Sequence, residues 1–296
     1  MSEFRFEHQD LYEQITYDRE YQRLNLVDLE PEKRVSLKKL SPLRIDCPYD
    51  KQKLEAFRVM QQPGDDWMEA RENFLTASRF AQIANDQIAR FGTAMQYWRE
   101  VTGRVLPKAF TAVQQGYCDH GRKFEPVARA CYERKFGVSV CEEGLRVYME
   151  PPWIYSASPD GLIENDPQNR GIIEIKCNAV NIPRDYVPHQ YLAQMMGQMA
   201  MYKAPFCDFV NYWARPEIDE RFFFCTRIYF DPIYWKHLLI RLDYMAWCIS
   251  HDKAPTGMGE LILSYPLPKV MNTPRAYVVS HTKTDDEFLK EIETIK

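Results

Sequence analysis

Asp160, Glu174 and Lys176 are the residues whose types and spacing could do chemistry. Asp160 sits in Ser158-Pro159-Asp160-Gly161, a sequence that makes a turn well. Glu174 and Lys176 lie two apart in the apolar run GIIEIKC, residues 171–177. In a strand they share one face, and Ile173 and Ile175 point the other way, into a core. A carboxylate and an ammonium on a buried strand are costly unless they have partners. Carboxylates are hard oxygen ligands that suit Mg²⁺, with Mn²⁺ able to substitute. A divalent ion meets the three demands of phosphodiester hydrolysis: an activated water, an offset for transition-state charge and a stabilised leaving oxygen. Lys176 can orient or deprotonate that water, or neutralise charge as it develops. The plain alternatives are an ordinary turn at Asp160 and a cross-strand salt bridge between Glu174 and Lys176. An E-x-K tripeptide alone is weak, and Glu133-Arg134-Lys135 is a second one, read as solvated helix. The turn 13 residues upstream and the apolar strand favour the metal site.

The elements that must position these residues follow from pattern. Residues 51–62 read as a helix ended by Pro63-Gly64, and Asp65 or Asp66 can cap the next, which carries Trp67, Ala70 and Arg71. Thr76 or Ser78 starts a further helix. A hydroxyl at a helix N-terminus with a guanidinium nearby is an anion site in outline, though an N-cap and a surface arginine explain it as well. Helices are expected over 93–103 and 110–136, with Pro126 in a first helical turn and Glu125 at its start, as a dipole partner or a reach toward the metal. Strands are expected at 138–148, 153–163 and 171–177, with a polar turn at 165–170. Residues 189–202 form an amphipathic helix with Gln194 and Gln198 one turn apart. Strands at 206–214 and 221–230 and a long helix from Asp231-Pro232 to about 250 follow, the last with an apolar stripe of Trp235, Leu238, Leu239, Leu242 and Met245. The fold class is α/β (α+β): one core with a mixed sheet of about five strands flanked by helices. Residues 1–50 read as an N-terminal extension, 51–250 as the domain and 251–296 as a C-terminal extension ending in a charged helix.

The net charge of −4 does not advertise a nucleic-acid binder, but residues 99–135 carry eight basic against four acidic side chains. Eight scattered cysteines without CxxC spacing read as reduced thiols rather than a disulfide frame or a zinc site. The N-terminus lacks a signal-peptide run, and no stretch approaches the roughly 20 apolar residues that span a bilayer. A soluble protein of the cell interior is expected, in the cytoplasm or nucleus of a host or infected cell, with no membrane partner.

Several short motifs stand in one order: Trp67-x3-Arg71-x4-Thr76-Ala77-Ser78, Gly121-x3-Glu125-x2-Ala128, Ser158–Leu162, Glu174-x-Lys176-Cys177 and Tyr191-x2-Gln194. With them the chain resembles the PD-(D/E)xK nuclease superfamily, and within it the phage lambda exonuclease / YqaJ viral recombinase family. The resemblance implies a restriction-endonuclease-like core and a Mg²⁺-dependent, two-metal 5′→3′ exonuclease that resects duplex DNA ends for viral or phage recombination or genome processing. It implies metal ligation by Asp160, Glu174, Glu125 and the Ile175 carbonyl, catalysis by Lys176, and an active centre completed by Glu125 and Gln194. It implies that Arg71, Ser78 and Ser158 hold the 5′-phosphate of a DNA end. A single-strand annealing protein is the implied partner, and monomer or ring stays open. Two departures stand out: Asn178 where proline is common, and Met196 where a second glutamine is common. An endonuclease of the same superfamily acting on RNA or DNA flaps, and a non-catalytic nucleic-acid-binding protein, are the competing readings.

Overall fold

The computed structural model describes residues 47–84, 92–105, 111–150, 153–164, 170–180, 186–215, 218, 220–255 and 273–294. Most of the N-terminal extension and the turn at 165–169 lie outside the described residues. In chain order the elements are α1 (Lys51–Arg58), α2 (Asp65–Arg71), β1 (Leu75–Thr76), a 3₁₀ turn (Ala77–Arg79), α3 (Phe80–Ile83), α4 (Ala94–Val101) and α5 (Ala112–Phe136). Then come β2 (Val140–Cys141), β3 (Arg146–Val147), β4 (Tyr155–Ala157), β5 (Gly161–Ile163) and β6 (Ile172–Asn178). The chain continues with α6 (His189–Tyr202), β7 (Phe206–Arg215), β8 (Glu220–Tyr229), α7 (Pro232–Ser250), β9 (Thr273–Ser280) and α8 (Asp285–Thr294).

The apolar run at 171–177 is strand β6, at the middle of a six-stranded mixed sheet ordered β2-β5-β6-β7-β8-β9. It pairs antiparallel with β5 and parallel with β7. The period of two holds. Ile173 and Ile175 enter a core built with Phe124, Ala128, Cys131 and Tyr132 of α5 and Phe288 and Ile292 of α8. Ile172 enters the larger core on the opposite face, among the α6 methionines 195, 196 and 199 and the α7 stripe. Glu174 and Lys176 share that second face.

Four expectations are corrected. The strands expected over 138–148 and 153–163 are each broken, and a second sheet ordered β1-β4-β3 takes up part of them. The break between β4 and β5 falls at Ser158-Pro159-Asp160, where proline can donate nothing to a ladder. Helix α5 runs unbroken for 25 residues, so Pro126 and Glu125 lie in its interior. The helix forgoes one backbone hydrogen bond at Pro126, and burial of Phe124, Ala128, Cys131 and Tyr132 against β6 holds the register on both sides. Its ends are well defined by a Thr111/Gln114 capping box and by Gly137 at φ 62°. Asp65 and Asp66 occupy the first turn of α2 rather than the cap, which is Gly64. Residues 273–294 are no detached extension: β9 pairs with β8 and α8 packs on α5. Proline at the second position of β9 and a bulge at Cys225/Thr226 hide that strand from simple alternation. All eight cysteines are free thiols.

The α7 stripe is buried as expected, but it contains one charge-bearing residue, Asp243, which accepts the Tyr155 hydroxyl. Burial pushes its carboxyl up to about 7. The folded state therefore holds a proton that the unfolded chain releases near pH 4, so stability falls as pH rises from about 4 to 7 and is level above. The span is at most roughly 4 kcal/mol for a shift of this size. Chemical denaturation of Asp243→Asn across that range is expected to show a shallower pH dependence than the native protein.

Candidate active site

The β5–β6 pairing explains why Asp160 meets Glu174 across 13 residues. Gly161 lies opposite Ile173, the Asp160 amide donates to the Ile173 carbonyl (3.1 Å), and the Ile175 amide donates to the Asp160 carboxylate (2.6 Å). The aspartate thus caps the ladder where β5 begins, beside the face that carries Glu174 and Lys176. Glu174 is fully buried. Gln194 donates to one of its oxygens and Gln198 to the other, both at 2.6 Å, and Lys176 donates to the first. Helix α6 delivers the two amides because residues four apart fall on one face. The salt bridge considered from sequence is present, but along one strand rather than across two, and it belongs to a larger convergence.

Burial, and then the Glu174 charge, hold the Asp160 carboxyl well above the usual carboxylate range, with Lys176 opposing. Burial works to lower Lys176, yet the Glu174 and Asp160 carboxylates outweigh it and hold the ammonium above its ordinary value. Lys176 is therefore a fixed cation, suited to orienting a nucleophile or offsetting charge rather than to taking a proton.

The end-binding candidates line the same cleft, a cavity of about 130 Å³. Arg71 stacks on the Trp67 ring at 4.1 Å and donates to Ser78 Oγ at 2.8 Å. Trp67 Nε1 donates to Ser158 Oγ (2.9 Å), and that hydroxyl donates to the Gly144 carbonyl (3.0 Å). Burial, with Arg79 nearby, pulls the Arg71 guanidinium below its ordinary value, and Glu174 opposes. Arg71 makes no ion pair with a carboxylate among the described residues, so the cleft holds a largely desolvated cation in want of an anion. Ser78 lies in a single 3₁₀ turn, and its hydroxyl meets Arg71 and Thr76 Oγ1 (3.1 Å) rather than the backbone amides of a helix. The anion reading thus rests on the guanidinium and the hydroxyls, not on a helix dipole.

The cleft gathers Arg71, Ser78, Ser158, Asp160, Glu174, Lys176 and Gln194, together with Gln198. Glu125 does not line it; it is ion-paired to Arg129 at 2.9 Å. Burial raises its carboxyl, with Arg129 and Lys176 opposing and Glu174 adding. Among the described residues no group of three or more His, Cys, Asp or Glu side chains is disposed to hold a metal ion. The donors that fit Mg²⁺ are therefore two carboxylates, a number that suits an ion that keeps several waters. Lys176 is the cation that faces both, and among the described residues Gln198 Oε1 is buried with no hydrogen-bond partner. Sequence reasoning missed one polar cleft residue, Gln62, which sits in a Gln-Gln-Pro-Gly turn that carries no chemical signal.

A six-stranded mixed sheet, flanked by helices and with its acidic pair at the β5–β6 junction, is an α/β architecture of the restriction-endonuclease-like type. Residues 66–204, just under half of the chain, match the YqaJ-like viral recombinase domain. It is similar to the crystal structure of an alkaline exonuclease from Laribacter hongkongensis, with 26% identity and a TM-score of 0.50, covering 64% of this chain and 94% of that one. The same enzyme in complex with dAMP matches at 27% identity over the same shares, with a TM-score of 0.50. An uncharacterized protein of Acanthamoeba polyphaga mimivirus is 25% identical over 165 residues, 51% of this chain and 29% of that protein. The chain thus spans less than a third of the length of that curated relative. Among the described residues no helix is long and apolar enough to cross a membrane.

Proposed function

We propose that this chain is a metal-dependent deoxyribonuclease that digests duplex DNA from a 5′-phosphorylated end in the 5′→3′ direction. One observation carries the reading: the Arg71 guanidinium, which has no carboxylate partner among the described residues, and the acidic pair Asp160–Glu174 open into the same cleft. The likeness to an alkaline exonuclease, one structure of which holds dAMP, supports DNA as the substrate class.

Asp160 and Glu174 would hold Mg²⁺, with the Ile175 carbonyl beside them, and Glu125 would join only after leaving Arg129. When bound, the metal supplies an activated water and charge neutralisation at the scissile phosphate. Arg71 and the Ser78 and Ser158 hydroxyls bind the terminal phosphate and set the first phosphodiester over the acidic pair. Gln194 and Gln198 hold both Glu174 oxygens, so the carboxylate does not reorient. Lys176 stays cationic and offsets charge gathering on the phosphate. Resection in this sense leaves 3′ single strands, the substrate that a single-strand annealing partner would take up.

A linear duplex, the same sequence as a closed circle, and EDTA decide between an end-directed and an internal cutter. The expected result is metal-dependent loss of the linear form with the circle intact. Cutting of the circle favours the endonuclease alternative.

A further inference from the structure

We propose that Gln62 is a positioning residue that sets the spacing between the end-binding and cutting halves of the cleft. It does so by holding the peptide that joins Ser158 to Asp160. This rests on the function proposed above. Gln62 lies outside residues 66–204, the segment that matches the family domain, so nothing in that match assigns it a role.

The Gln62 Nε2 donates to two backbone carbonyls, Pro159 at 2.8 Å and Glu143 at 2.7 Å. Pro159 is the one residue between the serine that faces the terminal phosphate and the aspartate that faces the scissile one. It has no N–H, so its carbonyl is its sole backbone hydrogen-bonding group. The second carbonyl, Glu143, immediately precedes Gly144, whose own carbonyl accepts from Ser158 Oγ. A single amide group therefore ties together the two loops from which Ser158 hangs.

The support behind Gln62 has little slack. Gly144 N–H donates to the Arg58 carbonyl at 2.6 Å, and Leu145 N–H to the Phe57 carbonyl at 2.7 Å, which bolts the end of α1 to the loop. Arg58 pairs with Glu143 at 2.9 Å, and Arg146 pairs with the other oxygen of the same carboxylate at 3.0 Å. A Cβ on Gly144 would stand 2.4 Å from the Phe57 carbonyl, so the two backbones are already in contact. Gln62 reaches into the cleft from a platform tied by two backbone hydrogen bonds and two ion pairs, which is what a spacer between two binding halves needs. An ordinary loop-stabilising glutamine would lower stability when lost but would not change the choice between DNA ends.

The test compares Gln62→Leu, which cannot donate, and Gln62→Glu, whose carboxylate can only accept, with the neighbouring Gln61→Leu as control. Fluorescence anisotropy in EDTA measures binding of blunt duplexes carrying a 5′-phosphate or a 5′-hydroxyl, so no turnover is needed. Both Gln62 variants are expected to melt cooperatively and to lose about tenfold of the preference for the phosphate, as for one hydrogen bond to a charged group misplaced. Gln61→Leu is expected to keep that preference. Amide hydrogen exchange across residues 158–161 is expected to quicken in both Gln62 variants. Folded variants with the native preference overturn the proposal, whatever their exchange. If the native protein itself does not prefer the phosphate, the end-recognition part of the proposed function falls. Exchange then decides the role of Gln62 alone: faster exchange upholds the clamp, and unchanged exchange overturns it.

Discussion

Asp160→Asn is expected to lower digestion of duplex DNA by on the order of 10³-fold or more while leaving the protein at least as stable as the native one. The two effects have one cause. The Asp160 carboxylate is desolvated and stands against the Glu174 charge, which is why its carboxyl is held above the usual range. Asparagine removes that repulsion, and its side-chain oxygen can still accept the Ile175 amide that Asp160 accepts at 2.6 Å. A group that costs the folded state stability is best explained by work the folded state alone does not require. Kinetics on a 5′-phosphorylated duplex together with thermal denaturation check both signs. A parallel loss of activity and stability would point to a structural aspartate instead. Lys176→Ala is a less clean probe, because it strips Glu174, at 0% exposure, of its cation and leaves a buried carboxylate held by two amides.

The second large effect concerns recognition. Arg71→Ala is expected to bring the preference for 5′-phosphorylated over 5′-hydroxyl ends close to unity, from about 10- to 100-fold in the native protein. That range is what a charge-assisted hydrogen bond worth about 1.5–3 kcal/mol provides. The rate on hydroxyl ends should change far less, because Arg71 contacts Trp67 and Ser78, while the Asp160 and Glu174 hydrogen bonds are made by β6 and α6. Arg71→Lys keeps the charge but loses the planar fork and the fit over the Trp67 ring, so it should fall between the two. KM and kcat measured on both kinds of end separate these outcomes. An unaltered preference in Arg71→Ala would remove the arginine from end recognition.

Much of the cutting half is legible in sequence because it rests on strand period. Two-residue spacing puts Glu174 and Lys176 on one face whatever the surrounding fold. A turn followed by an apolar strand suggests a hairpin, which returns Asp160 to the strand that carries them. Helical spacing likewise puts Gln194 and Gln198 together, although only the packed position of α6 shows that they take the two oxygens of Glu174. Arg71, Ser78 and Ser158 could not be joined by periodicity. They come from α2, a 3₁₀ turn and the β4–β5 break; the helix reading paired Arg71 with Ser78 in outline, and only the motif resemblance added Ser158. Glu125 shows where local rules mislead. Proline suggests a helix start, but α5 has enough buried surface on β6 to run through Pro126, and this orients Glu125 toward Arg129. Strand β9 escaped because pairing with β8, rather than its own alternation, makes it a strand. Gln62 escaped because its partners are carbonyls 81 and 97 residues away, which leave no trace in local pattern.

The central claim is that one cleft grips a 5′-phosphate and cuts beside it. The most direct measurement follows the first product from a linear duplex labelled at one 5′-phosphate, with Mg²⁺ added to metal-free protein. The account predicts that label leaves first as a mononucleotide, before any internal fragment forms, and that EDTA stops it. Label released in longer internal fragments, or released equally well without metal, would contradict it.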